Sequence, residues 1–178
     1  MAKILKEFND NPHILNIELG AGCGNFGHKY HPECFLTEKR TLSEVKHVCK
    51  DFYATIFSCD AYNIPCEENR FNHVVMCNPY GYGFNDREYG MSLLSELSRV
   101  LTNQGRVIIL GTMNNKFAMP SRIKRRVDEF NSQNIFSRFH YSVQEIDCSV
   151  DYPEHTFFYT DSIQSVFPRY RTSLTCYK

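Results

Sequence analysis

The chain has no excess of either charge: twenty basic and twenty acidic side chains cancel over its 178 residues. Without a net field it cannot gather nucleic acid or an anionic membrane from a distance, so any such partner has to be held locally. It has no apolar run near the roughly 18 residues that a membrane span requires. A signal-peptide pattern is absent as well. Missing too are a Gly-x-Ser-x-Gly elbow, a Walker loop and any Cys-x-x-Cys pair, which removes the starting residue for hydrolase, nucleoside-triphosphatase and dithiol chemistry. No repeat, low-complexity tract or linker divides the sequence, and its length suits one domain with a real core. The eight cysteines (23, 34, 49, 59, 66, 77, 148 and 176) fall mostly in apolar contexts. They read as reduced, buried residues of a cytoplasmic protein, not as a disulfide framework.

What is present is organised around Ile14 to Gly24, an apolar strand that ends in Glu18 and the alternating glycines Gly20, Gly22 and Gly24, with Ala21 and Cys23 between them. Glycines after a buried strand let the chain turn sharply and let a ligand approach the backbone. Gly22-x-Gly24-x-x-Gly27 also fits a dinucleotide fingerprint, so spacing alone does not name the guest. Charge discriminates better, because a carboxylate at Glu18 repels a pyrophosphate and attracts the ammonium and sulfonium of S-adenosylmethionine. At these residues the sequence resembles the class I S-adenosylmethionine-dependent methyltransferases, whose first motif reads acid-x-Gly-x-Gly-x-Gly.

The remaining pattern is consistent with that resemblance. Residues 1–13 suggest a short helical lead-in broken by Asn11-Pro12, and Gly27 and Pro32 leave room for only one helical turn after the glycine loop. Cys34 to Glu38 reads as a second strand whose terminal acid, like its counterpart in the family, can accept ribose hydroxyls. Thr41-x-x-Glu44 is a capping box before a crossover helix through Phe52, and Tyr53 to Cys59 is a third strand. Asp60, with Ala61, stands where the family places an acid that helps hold the adenine amino group; its plainer reading is a turn cap. Phe71 to Cys77 forms a fourth strand. Asn85 with Glu88 would cap the next helix, whose buried stripe is Met91, Leu94, Leu97 and Leu101. Asn103-Gln104-Gly105 turns the chain into a fifth strand, Arg106 to Gly111. Ser121 to Asn134 reads as a helix with Ile123, Val127 and Phe130 inward and Arg122, Lys124, Arg125 and Arg126 mostly outward. Phe139 to Asp147 and Thr172 to Tyr177 are expected to close the sheet as an antiparallel pair, while 148–171 carries no clear pattern.

Alternation of strand and helix from 14 to 134, then strands from 135 to 178, predicts an α/β three-layer sandwich in one domain: a mostly parallel, Rossmann-like, seven-stranded sheet with an antiparallel closing strand. Ligands of such sheets bind outside the carboxyl ends of the strands, where Gly20, Glu38, Asp60 and Asn78 would all emerge. Asn78-Pro79-Tyr80 resembles the Asn-Pro-Pro-Tyr motif of methyltransferases that modify planar amino groups in adenine, cytosine or a glutamine amide. The resemblance implies that Asn78 and Pro79 hold the amine and that Tyr80 or Tyr82 stacks on it. The aromatic and glycine alternation through Phe84 could also form a lid. His28, His31, Cys34, His47 and Cys49 have ligand chemistry, but Pro32 prevents a regular array and no metal is expected.

Together these features predict a small methyltransferase with S-adenosylmethionine as cofactor and a small-molecule or protein-presented acceptor. Nucleic acid is a less favoured partner. The alternative is a non-catalytic protein-binding module of the immunity or antitoxin kind, motivated by the short first crossover and irregular Asn-Pro-Tyr; a nicotinamide enzyme is a third reading that Glu18 disfavours.

Overall fold

The fold was described from a computed structural model, which covers residues 15–21, 26–31, 34–39, 56–153, 157 and 166–178. The expected lead-in helix over 1–13 and the crossover helix before Phe52 lie outside the described residues. In chain order the elements are β1 (Asn16–Glu18), α1 (Phe26–Tyr30), β2 (Cys34–Glu38), β3 (Ile56–Ser58), β4 (Phe71–Cys77), α2 (Arg87–Val100), β5 (Leu101–Gly111), α3 (Pro120–Gln133), β6 (Arg138–Glu145), α4 (Cys148–Asp151) and β7 (Tyr170–Tyr177).

The strands form a seven-stranded sheet in the order β3-β2-β1-β4-β5-β7-β6. β1 to β5 pair in parallel, and β7 runs antiparallel to both β5 and β6. One reversed strand therefore sits between two that run the same way, and β6 with β7 is the antiparallel pair expected to close the sheet. The apolar runs of the central strands are explained by burial on both faces. Val74, Met76, Val107 and Ile109 share a core with Leu93, Leu94 and Leu97 of α2 and Ile123, Val127 and Phe130 of α3. Val75 and Leu110 point the other way, into a cluster with Phe26 of α1, Cys148 of α4, Tyr152 and Phe157. Helices thus cover both faces, the three layers that the alternation predicts.

Several local expectations are corrected. The N-cap of α2 is Asp86, one residue later than Asn85, and its carboxylate accepts the Glu88 N–H at 2.9 Å. Asn85 instead offers its carbonyl to Arg122 Nη1 at 2.8 Å. Met91 is only half-buried, and Leu101 begins β5 directly after α2, so residues 103–105 form a bulge inside the strand and not a turn before it. The register moves from Phe71 opposite Leu101 to His73 opposite Arg106, with Gln104 in the left-handed region at φ 66°. Of the four basic residues on α3, Arg126 is buried, its stem packed over Gly90 of α2 and its Nη1 donating to Glu129 at 2.8 Å. The aliphatic stem explains why it fits an inward position. The six described cysteines are free thiols, and burial pushes Cys59 up to about 12.

Candidate functional site

Parallel strands force their crossovers to one side or the other, and the place where that side changes leaves a crevice at the carboxyl edge. Here the change falls between β1, which is followed by β2 and β3 on one flank, and β4, which is followed by β5 on the other. The chain leaving β1 is pinned to both neighbours, with the Leu19 N–H donating to Val75 O at 2.9 Å and the Ala21 N–H to Thr37 O at 2.8 Å. Between them Gly20 adopts φ 63°, the bend expected from the glycine run. Gly22, Cys23 and Gly24 lie outside the described residues.

The bend at Gly20 is not open in this structure. A side chain built at Gly20 would come within 2.7 Å of the Tyr82 ring, and the Tyr82 hydroxyl donates to Leu19 O. Tyr82 arrives from the segment after β4, where Gly81 (φ 79°) and Gly83 (φ 125°) flank it in conformations that L side chains rarely adopt. The Gly83 N–H donates to the Tyr62 hydroxyl at 3.3 Å, tying the same segment to the chain beyond β3.

Glu18 takes a different position from the one its charge suggested. Its side chain is fully buried beneath α1, where Oε2 accepts the Gly27 N–H at 2.7 Å. A Cβ at Gly27 would lie 2.6 Å from Cys34 Sγ, so only glycine lets α1 settle on β1 and β2 this closely. Burial raises the Glu18 carboxyl to about 7, with the Gly27 hydrogen bond acting in the opposite sense. Its Oε1 is buried and has no hydrogen-bond partner among the described residues. The direct electrostatic partner of Glu18 is thus the chain's own backbone.

Glu38 ends β2 and is nine-tenths buried, and its carbonyl accepts the Cys59 N–H at 3.1 Å. Thr37, which the sequence reading passed over, donates its hydroxyl to Glu18 O at 2.9 Å and locks β2 to β1. Asp60 is half-buried and fills the plainer of its two readings: Oδ1 accepts the Tyr62 N–H at 3.1 Å, as in an Asx turn. Its Oδ2 pairs with Lys39, just past the end of the neighbouring strand β2, at 3.2 Å, and Ala61 beside it is buried.

Past β4, Asn78 adopts φ 47°, a left-handed conformation that asparagine tolerates and that is frequent at functional sites. Its N–H donates to Leu110 O at 2.9 Å, which fixes the peptide to β5. Its side-chain Oδ1 accepts from Asn115 Nδ2 at 2.7 Å, and the same nitrogen reaches Pro79 O at 2.9 Å. Tyr80 is exposed and meets Phe117 edge to face, with ring centroids 5.4 Å apart. The sequence reading missed Asn115, Phe117 and Tyr62. Asn115 and Phe117 lie in the turn after β5, which the parallel topology brings to the same edge, and that was the signal available. Beside this turn is a cleft of about 530 Å³ whose lining includes Met113, Glu145, Asp147, Phe167 and Arg169.

Among the described residues no cluster of three or more His, Cys, Asp or Glu could hold a metal ion, and no helix is long and apolar enough to cross a membrane. His28 Nδ1 lies 3.1 Å from Cys34 O; His47 and Cys49 are outside the described residues.

No protein-family model matches the sequence, and no curated protein matches it. Solved structures match its fold. An S-adenosylmethionine-dependent methyltransferase from Thermotoga maritima superposes with a TM-score of 0.56 at 13% identity, over 99% of this chain and 89% of that one. One from Aquifex aeolicus gives 0.56 at 13% identity over 99% and 89%. The plantazolicin methyltransferase BpumL, solved with S-adenosylhomocysteine, gives 0.58 at 13% identity over 93% and 76%. The chain has the fold of the class I S-adenosylmethionine-dependent methyltransferases.

Proposed function

We propose that the protein is a small methyltransferase that takes S-adenosylmethionine as its methyl donor. The observation that supports this reading is convergence: the Gly20 bend, Glu38, Asp60 with Ala61, and Asn78 with Pro79 all lie at or just past the carboxyl ends of adjacent parallel strands, the edge where such sheets bind ligands. When bound, the cofactor supplies a methyl group already activated on a sulfonium, which leaves the chain to align an acceptor and exclude water.

The residues fit such a guest. Glu38 would accept the ribose hydroxyls, and Asp60 with Ala61 would meet the base. Gly20 and Ala21 would pass beneath it, and the sequence assigns Gly22, Cys23 and Gly24 to the same role. Glu18 holds α1 at the base of the same loop, where its Oε1 has no hydrogen-bond partner among the described residues. Among the described residues Tyr82 stands in the way, and the left-handed glycines on either side of it would let it move aside. Asn78 and Pro79 would then position the acceptor, with Tyr80 exposed beside them for stacking.

Titration calorimetry with S-adenosylmethionine and S-adenosylhomocysteine tests the reading. Binding of both is expected, and methyl incorporation into an acceptor would follow. The reading fails if neither binds at millimolar concentration.

A further inference from the structure

Successive side chains of a strand point to opposite faces of the sheet, so burial divides the residues of β7 and β6 into two sets. Thr172, Leu174 and Cys176 of β7 and Phe139 of β6 are buried, and the last three share the core with α2 and α3. The alternate positions lie on the other face: Arg171 and Tyr177 on β7, Arg138 and His140 on β6, and Arg106 on β5, in register through Thr175. Arg106, Arg138, His140 and Tyr177 are exposed, and Arg171 is half-buried. No Asp or Glu stands at the positions that β5, β7 and β6 contribute to this face. None of the three arginines has an ion-pair partner among the described residues; Arg171 donates to the neutral Gln144 Oε1 at 2.5 Å. The basic helix α3 is different, because it answers its own charges. Lys124 pairs with Asp128 at 2.7 Å, Arg126 with Glu129 at 2.8 Å, and Arg122 is spent on the Asn85 carbonyl. A net charge of zero over the chain thus conceals a positive field on one half of one sheet face.

We propose that this face, carried by β5, β7 and β6, binds a single strand of nucleic acid, with Arg106, Arg138 and Arg171 on its phosphates and His140 and Tyr177 as surfaces for its bases. The spacing of the charges selects a repeating anion. Arg138 stands opposite Tyr177, six positions along β7 from Arg171, which places the outer two arginines roughly 20 Å apart. One phosphate group cannot meet both, whereas a chain of phosphates can. The hydroxyls of Ser142, Ser173 and Thr175 lie between the arginines and add neutral donors along the track. Rings on an open sheet suit unpaired bases, whose flat sides a duplex conceals. An anionic bilayer is a poorer match, since Tyr177 is the single exposed large apolar side chain that these three strands set on this face, too little to enter the lipid. The proposal concerns a face of the sheet and not its carboxyl edge, so it stands apart from the methyltransferase reading.

Fluorescence anisotropy with labelled oligouridine and oligothymidine of about 12 nucleotides tests it, without S-adenosylmethionine. Binding of a single strand is expected, with log affinity falling against log salt at a slope of about −2, three phosphate contacts at about 0.7 each. Arg106→Gln and Arg138→Gln, at exposed positions, should each lower that slope by about 0.7, and the triple variant with Arg171→Gln should bind about tenfold more weakly. Tyr177→Ser should weaken binding at every salt concentration with the slope unchanged, the sign of lost stacking and not of lost charge. The control is Lys124→Gln with Arg125→Gln on α3, which should change nothing. The proposal is overturned by no binding at low salt, by equal losses in the sheet and α3 variants, or by affinities unaltered in both single arginine variants. Tighter binding of a duplex than of a single strand overturns it as well, as does co-sedimentation with phosphatidylserine vesicles that a single strand does not reverse. Strand binding with no affinity for S-adenosylmethionine would leave this face standing and remove the methyltransferase reading, and cofactor binding with no strand binding would do the opposite.

Discussion

Two polar side chains stand on adjacent strands at the same edge of the sheet, and the fold treats them in opposite ways. Glu18 closes β1 and turns inward, sealed under α1 with one oxygen bonded to Gly27 and the other without a partner among the described residues. Asn78 follows β4 and turns outward, half-buried, with its oxygen bonded to a residue from a different turn. An inward carboxylate is part of the scaffold, and losing or charging it alters folding. On the proposed function an outward amide at a strand tip is part of a site, and losing it should alter binding. The contrast predicts that stability and activity separate cleanly between the two positions.

The largest effect is expected at Glu18. Its carboxyl is raised in the folded state from 4.5 to about 7 by burial, so between those values the native chain holds a proton that the unfolded chain has released. Stability conferred by the protonated form is complete below pH 4.5, declines as pH rises toward 7, and is level above that. The loss is of the order of 3 kcal/mol as an upper bound. Glu18→Gln keeps an acceptor for Gly27 and carries no charge, so its unfolding midpoint in urea should lack that decline between pH 5 and pH 8. Parallel pH profiles for the two proteins would show that another group titrates.

At Asn78 the balance reverses. Asn78→Gly suits the left-handed backbone at φ 47°, so the relief of strain offsets the lost hydrogen bond and unfolding should change by less than about 1 kcal/mol. Methyl transfer should fall by about 100-fold in kcat/KM, the cost of losing one positioning acceptor at the reacting group. A glycine variant that unfolds readily and transfers normally would cancel the distinction between scaffold and site.

How far the sequence reveals this depends on the range over which each signal acts. β2 and β4 match their apolar runs to the residue, because burial on both faces is written into consecutive positions. The inward stripe of α3 is legible for the same reason, and Arg126 is misread because periodicity sees its charge and not its aliphatic stem. The bulge at residues 103–105 is hidden because a glycine turn and a strand irregularity have the same composition. At the site the sequence indicates which strand tips converge, since that follows from alternation alone. It does not indicate that Tyr82 would lie on Gly20 or that Asn115 would bond to Asn78, contacts spanning 62 and 37 positions between loops with no periodicity. Glu18 shows the limit of reading charge without burial: the residue type correctly marks the bend, but the direction of its side chain is set by α1.

The smallest effect sharpens the contrast from a third position. Tyr82 touches the β1 tip from the β4 side, so it belongs to the scaffold through its bond to Leu19 O and to the site through the ring that covers Gly20. Tyr82→Phe removes only the bond. Stability should drop by about 1 kcal/mol, the usual worth of one such hydrogen bond. If the ring is a cover that the cofactor displaces, the same change makes the closed arrangement less favourable, and the apparent affinity for S-adenosylhomocysteine should rise about fivefold, because binding no longer draws on a minority of open molecules. If the ring is instead a wall of the site, affinity falls along with stability. Calorimetry and urea unfolding on the one variant therefore decide whether the crevice is closed by a movable part or by a fixed one, since only a movable part lets the two quantities change in opposite directions.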